Sequence, residues 1–138
     1  MENLLISACL MGFECKYSGG SNKLSEEALA RLKAEYRLIP VCPETAGGLP
    51  VPRDPSERLG DKVVSSKGKD VTAEFEKGAD IALTLAKRYG CKKALLKRNS
   101  PSCGGEFIYD CSFSGTLVPG EGVAAELLRT DGVEVFGE

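Results

Sequence analysis

The sequence contains no histidine. That one absence excludes Ser-His-Asp and Cys-His catalysis, His-ligated zinc and a histidine proton shuttle. Proton transfer must fall instead to carboxylates, Lys, Tyr, Ser or Cys. There is no CxxC pair and no close-spaced cysteine run of the ferredoxin kind, so local spacing carries no metal signature. A large excess of one charge is missing too. The formal net charge is −2, which gives no electrostatic reason to expect a nucleic-acid polymer or an anionic membrane as partner. Small basic pairs such as Lys92-Lys93 and Lys97-Arg98 read as solvated surface. No apolar run is long enough to span a bilayer. The first residues, with Glu2 and a short apolar run, do not resemble a signal peptide, so the cytoplasm is the expected location.

What the chain does have is a soluble composition and six cysteines. At 138 residues, 42% hydrophobic and 28% charged, it fits one domain over residues 1–138 with a core of its own. In a reducing compartment six cysteines point to metal binding or catalysis rather than to disulfides.

Periodicity gives an α/β order. Strands are expected at Leu4-Leu5-Ile6, at Arg37 to Val41, at Lys93 to Lys97 and at Val133 to Phe136. A helix should start after Ser25, whose hydroxyl can cap it, with Glu26 and Glu27 at the positive end of its dipole and Leu24 and Leu29 as a hydrophobic staple. Its buried stripe reads Ala28, Leu29, Leu32 and Tyr36. A longer helix, capped by Asp70 or Thr72 and closed by Gly90, carries Phe75, Ala79, Ala82, Ala86 and Tyr89 on one face. Thr45 to Asp61, rich in Gly and Pro, reads as an irregular loop. Lys62 to Val71 reads as a hairpin turning at Lys67-Gly68, and Phe107 to Val118 as another through Phe113-Ser114-Gly115. A final helix spans Val123 to Arg129. The class is a Rossmann-like, open, mostly parallel sheet flanked by helices.

On that topology three cysteines fall just past strand ends: Cys9, Cys42 and Cys103. Loops leaving the carboxyl ends of parallel strands open onto one crevice. Three thiolates there imply a metal or cluster with a vacant position, since a structural site is normally closed by a fourth ligand. The competing reading is burial, because free cysteine is among the most buried residue types. The flanks favour ligands: Pro43 and Glu44 follow Cys42, and Cys103 lies in Ser100-Pro101-Ser102-Cys103-Gly104-Gly105. Cys91 reads as structural and Cys111 as incidental. Cys15 shares the first loop with Cys9 and could reach the pocket, as a fourth ligand, a reactive thiol or a buried side chain, with burial the best single reading. Glu44 and Ser100 lie within three residues of a proposed ligand, so they are candidates for a general base and a hydroxyl that orients substrate or relays a proton. Ser7, Ser102 and Asp54 carry the same suspicion at lower weight. Arg53 could bind a carboxylate or phosphate, although a surface arginine is commoner.

The motifs Ser7-Ala8-Cys9-Leu10-Met11-Gly12, Cys15-Lys16-Tyr17, Val41-Cys42-Pro43-Glu44, Gly47-Gly48-Leu49-Pro50 and Ser100-Pro101-Ser102-Cys103-Gly104 resemble those of the iron-sulfur-dependent thiouracil desulfidases. The resemblance continues through Asp70-Val71-Thr72, Gly78-Ala79 and Ile108-Tyr109-Asp110 and covers nearly the whole chain. It implies a [4Fe-4S] cluster on Cys9, Cys42 and Cys103 with one iron not ligated by protein, and catalytic positions for Glu44 and Ser100. The implied reaction is non-redox hydrolytic removal of sulfur, as sulfide, from a thiolated pyrimidine base or nucleotide. The open iron would act as Lewis acid and Glu44 as base toward water. Cys111 departs from the pattern, where relatives commonly carry glycine. The alternatives are a non-catalytic metal- or sulfur-binding protein and a thiol enzyme that uses Cys9 or Cys42 covalently.

Overall fold

The computed structural model describes residues 1–138. In chain order the elements are β1 (Glu2–Ser7), a 3-10 turn (Ala8–Met11), α1 (Glu26–Glu35), β2 (Tyr36–Val41), α2 (Pro43–Ala46), β3 (Ser56–Leu59), β4 (Lys62–Ser65), α3 (Thr72–Arg88), β5 (Lys93–Leu96), β6 (Phe107–Tyr109), β7 (Leu117–Pro119), α4 (Val123–Thr130) and β8 (Glu134–Gly137).

The four strands expected from apolar runs form one sheet in the order β2-β1-β5-β8, and every pair in it is parallel. β1 lies inside, and Leu4, Leu5 and Ile6 are all buried, as an apolar run covered on both faces requires. Leu5 and Val41 from the sheet pack with Ala94 and Leu96 of β5, Ala82 and Ala86 of α3, and Ala125 and Leu128 of α4. The alanine face of α3 lets that helix lie close to its neighbours. Two small antiparallel hairpins, β3-β4 and β6-β7, sit beside the main sheet. No helix is long and apolar enough to cross a membrane.

The Ser25 cap stands as expected: its Oγ accepts from the Ala28 N–H at 3.1 Å. Elsewhere the structure corrects local detail. In α1 only Leu29 is buried, and Tyr36 begins β2 instead of extending the helical stripe. Val71 is the N-terminal cap residue of α3, while Asp70 Oδ1 accepts from the Thr72 N–H and Thr72 Oγ1 accepts from the Val63 N–H. The expected turn at Lys67-Gly68 exists, yet the main hairpin lies upstream. β3 arises within the segment read as irregular and pairs with β4. The last two residues of α2, Thr45 and Ala46, also fall in that segment.

α2 sits against α3 through two glycines. A Cβ on Gly78 would lie 1.8 Å from the carbonyl oxygen of Pro43, and one on Gly47 would lie 1.9 Å from that of Glu74. Only glycine allows backbones to approach so closely. This contact fixes the short helix that begins immediately after Cys42.

Candidate functional site

A cavity of about 720 Å³ opens at the carboxyl ends of β1, β2 and β5. The segments leaving those strands supply its wall: Ser7 to Cys9, Val41 to Glu44, and Lys97 to Cys103. Cys9, Cys42 and Cys103 therefore line one space, as do Glu44, Ser100 and Ser102. Cys91 is buried in the core with Ala82 and Ala94, away from the cavity wall. Cys111 does not line the cavity; its Sγ lies 3.7 Å from the Glu57 carbonyl oxygen. Asp54 does not line it either, and stands 3.8 Å from Lys67 Nζ.

Cys15 reaches the cavity, as its place in the loop with Cys9 allowed, and is half-buried there rather than fully buried. Its backbone carbonyl lies 3.8 Å from Cys42 Sγ. Burial raises its thiol pKa, and the neighbouring Cys42 and Cys9 raise it further. All six cysteines are free.

The sulfur environments differ from that of a simple apolar core. Cys103 Sγ accepts from Ser7 Oγ at 3.3 Å and faces Ser102 Oγ at 3.6 Å. Ser7 Oγ in turn accepts from the Lys97 N–H, which leaves its own proton for the sulfur. Cys9 Sγ accepts from Asn22 Nδ2 at 3.5 Å. Burial pushes the Cys103 thiol up to about 12. Burial also raises Cys9, against the Asn22 hydrogen bond and the Lys97 charge. Donors aimed at sulfur suit thiolates, and a bound cation reverses the burial penalty by holding the ligating thiol deprotonated. No three Cys, Asp or Glu side chains gather closely enough to hold a single metal ion. Three thiols lining one cavity, two of them accepting hydrogen bonds at sulfur, fit a multi-iron group whose irons take thiolate ligands. One zinc at about 2.3 Å from every sulfur would need a tighter set.

Beside the sulfurs runs a polar line. Arg53 Nε donates to Glu44 Oε1 at 3.2 Å, and Ser102 Oγ donates to Glu44 Oε2 at 2.8 Å. Ser100 Oγ lies 3.2 Å from Ser102 Oγ and accepts from the Cys103 N–H at 2.7 Å. A hydroxyl has one proton. With Ser102 donating to Glu44, Ser100 is the donor in the serine pair, and the line points from Ser100 to the carboxylate. Ser100 thus also shapes the turn that presents Cys103. The Arg53 side chain is 6% exposed, so it is no surface arginine. It is fixed further by Nη1 donating to the Pro50 carbonyl and by its own N–H donating to that of Tyr17. Its partner Glu44 is nine positions away, which no local pattern announces. Ser102, given low weight from sequence, is buried at the centre of the line.

Residues 4–138 match the family model for 2-thiouracil desulfurase. The chain belongs to that family. It is 39% identical over 145 residues to the uncharacterised protein YbbK of Bacillus subtilis (strain 168), with 98% of this chain and 95% of that protein covered. It is also similar to a solved structure, the [4Fe-4S]-dependent thiouracil desulfidase TudS, at 48% identity and a TM-score of 0.95, covering 100% of this chain and 91% of that one. The family and this likeness agree with the cavity in which thiols and a carboxylate meet.

Proposed function

We propose that this chain, a single α/β domain over residues 1–138, is a [4Fe-4S]-dependent desulfidase that converts a thiolated pyrimidine to its oxygen counterpart and releases sulfide. The observation that carries the reading is the meeting of Cys9, Cys42 and Cys103 with the Ser100-Ser102-Glu44 line in one cavity. Likeness to TudS supports the cofactor. The three cysteines would hold the cluster, leaving one iron without a protein ligand. When bound, it supplies Lewis acidity toward a thiocarbonyl sulfur.

The protein's part is acid–base chemistry and alignment. Glu44 accepts one hydrogen bond on each oxygen from protein donors and keeps lone pairs on both for a water molecule. It takes a proton from that water as the water oxygen attacks the carbon bearing sulfur. The C–S bond breaks, a C=O bond forms, and the sulfur leaves as sulfide with no net electron transfer. Arg53 holds the carboxylate in place, while Ser102 and Ser100 supply the path along which a proton can return. Substrate is a small base or nucleotide, and the cytoplasm, where thiols stay reduced, suits the site.

Anaerobic reconstitution followed by iron assay, visible spectroscopy and sulfide release from 2-thiouracil and 4-thiouracil tests the proposal. Glu44→Gln should retain iron and lose about 10²–10⁴ of turnover. Iron-loaded wild-type protein that releases no sulfide would favour the metal- or sulfur-binding alternative. Activity without iron would favour the covalent thiol alternative.

A further inference from the structure

The turn between β6 and β7 carries strain that hydrolysis does not use. Cys111 and Phe113 have φ of 75° and 56°, in the left-handed region. Non-glycine residues adopt it at a cost, greatest for bulky side chains. Such backbone persists only where its surroundings hold it. Here the holder is Glu57 on β3, whose Oε1 accepts from the Cys111 N–H at 3.0 Å and the Phe113 N–H at 3.1 Å. Glu57 is 9% exposed. It has no cationic partner, for neighbouring Arg58 turns to Gly60, Glu121 and Glu126. A buried carboxylate without a counter-charge is costly, and its evident task is to grip these two N–H groups. Ser112, Ser114 and Thr116 tie the turn together from within through their hydroxyls. The backbone of Phe113 is thereby held, and its side chain, 38% exposed, lines the cavity that the three thiols also line, as do Glu57 and Tyr109.

We propose that Phe113 is a specificity residue whose ring lies against the flat heteroaromatic ring of the substrate, and that Glu57 is the positioning residue that holds it there. The inference rests on the thiolated-pyrimidine reading above. A flat conjugated ring presents the same face wherever its sulfur is attached, so this contact sets affinity for the ring and not the rate of C–S cleavage.

The test compares iron-loaded wild type with Phe113→Ala, Phe113→Gly, Glu57→Ala and Glu57→Gln, measuring kcat and KM for a thiolated pyrimidine alongside Tm. Loss of the ring should raise KM about tenfold or more and leave kcat within about twofold. Phe113→Gly should unfold at a higher temperature than Phe113→Ala, because glycine accepts the left-handed backbone. Glu57→Ala should match Phe113→Ala in KM. Glu57→Gln, which keeps an oxygen acceptor, should recover part of the affinity. Unchanged KM in both Phe113 variants overturns the proposal. So does a fall in kcat that follows iron content, which would mark the turn as structural support for the metal site. Wild type that loads iron and releases no sulfide overturns the desulfidase reading and this inference with it. An active wild type with unaffected variants overturns this inference alone.

Discussion

Gly78→Ala probes how the fold seats the carboxylate. The added methyl carbon would lie 1.8 Å from Pro43 O and 2.6 Å from Pro43 C, both main-chain atoms of α2. No side chain can swing aside, so α2 and α3 must part until that distance reaches at least 3.0 Å. Overpacking of this kind costs about 1–3 kcal/mol. Alanine's better helix propensity returns up to about 1 kcal/mol. Since neither backbone can yield without moving its helix, the cost falls at the upper end of that range, and the net loss should be about 2 kcal/mol, a fall of roughly 6–8 °C in Tm for a domain of this size. Activity should suffer more than stability. Glu44 follows Pro43 directly and holds a 2.8 Å hydrogen bond with Ser102. A shift of about 1 Å in a reacting group can cost on the order of 10²-fold. Thermal unfolding, iron content and sulfide release, measured on one preparation, separate these effects. A Gly78→Ala protein with wild-type Tm and wild-type turnover would refute the argument that this contact positions Glu44.

Cys9→Ala, Cys42→Ala and Cys103→Ala should each lose iron and sulfide release, whereas Cys15→Ala, Cys91→Ala and Cys111→Ala should retain both. Equal loss of iron in Cys15→Ala would make the site four-coordinate and undercut the desulfidase reading. Cys111→Gly should raise stability by up to about 1 kcal/mol, since glycine takes φ of 75° without strain. Calorimetry of iron-free protein measures the change, and a lower Tm would mean that the cysteine side chain contributes more than its backbone costs.

The main sheet was legible because its strands are short apolar runs bounded by polar residues or turns. Leu4-Leu5-Ile6 and Ala94-Leu95-Leu96 can be read without knowing their partners, and placing Cys9, Cys42 and Cys103 at strand ends required only that these strands be parallel. The α3 stripe was legible for the same reason, since Phe75, Ala79, Ala82 and Ala86 recur at helical spacing. β3 was not. Ser-Glu-Arg-Leu has little strand character by itself and becomes a strand by pairing with Lys62–Ser65. α2 is four residues long, too short for a periodic signal, and is held by glycines that meet α3. Arg53 looked like surface because its burial depends on Glu44 and on main-chain oxygens elsewhere in the fold. Cys15 could be placed within reach of the pocket because it shares the loop after β1 with Cys9, whereas its degree of burial depends on how that loop folds back on the cavity, which composition does not encode.

The dispersal of the thiols over three strand ends also affects the protein's thermodynamics. Cys9, Cys42 and Cys103 become neighbours only once β2, β1 and β5 are paired. The unfolded chain has no local pair to grip iron, unlike a chain with a CxxC motif. With the ligand set proposed above, cofactor affinity would reside almost wholly in the folded state, and a ligand that binds only that state stabilises it by RT ln(1 + [L]/Kd), about 2.7 kcal/mol when its concentration is a hundredfold above Kd. A chain deprived of iron loses that margin everywhere at once, not merely at its cavity. Since a change of about 1–2 kcal/mol can alter abundance in a cell several-fold, iron scarcity would thin the population of this protein as well as silence it.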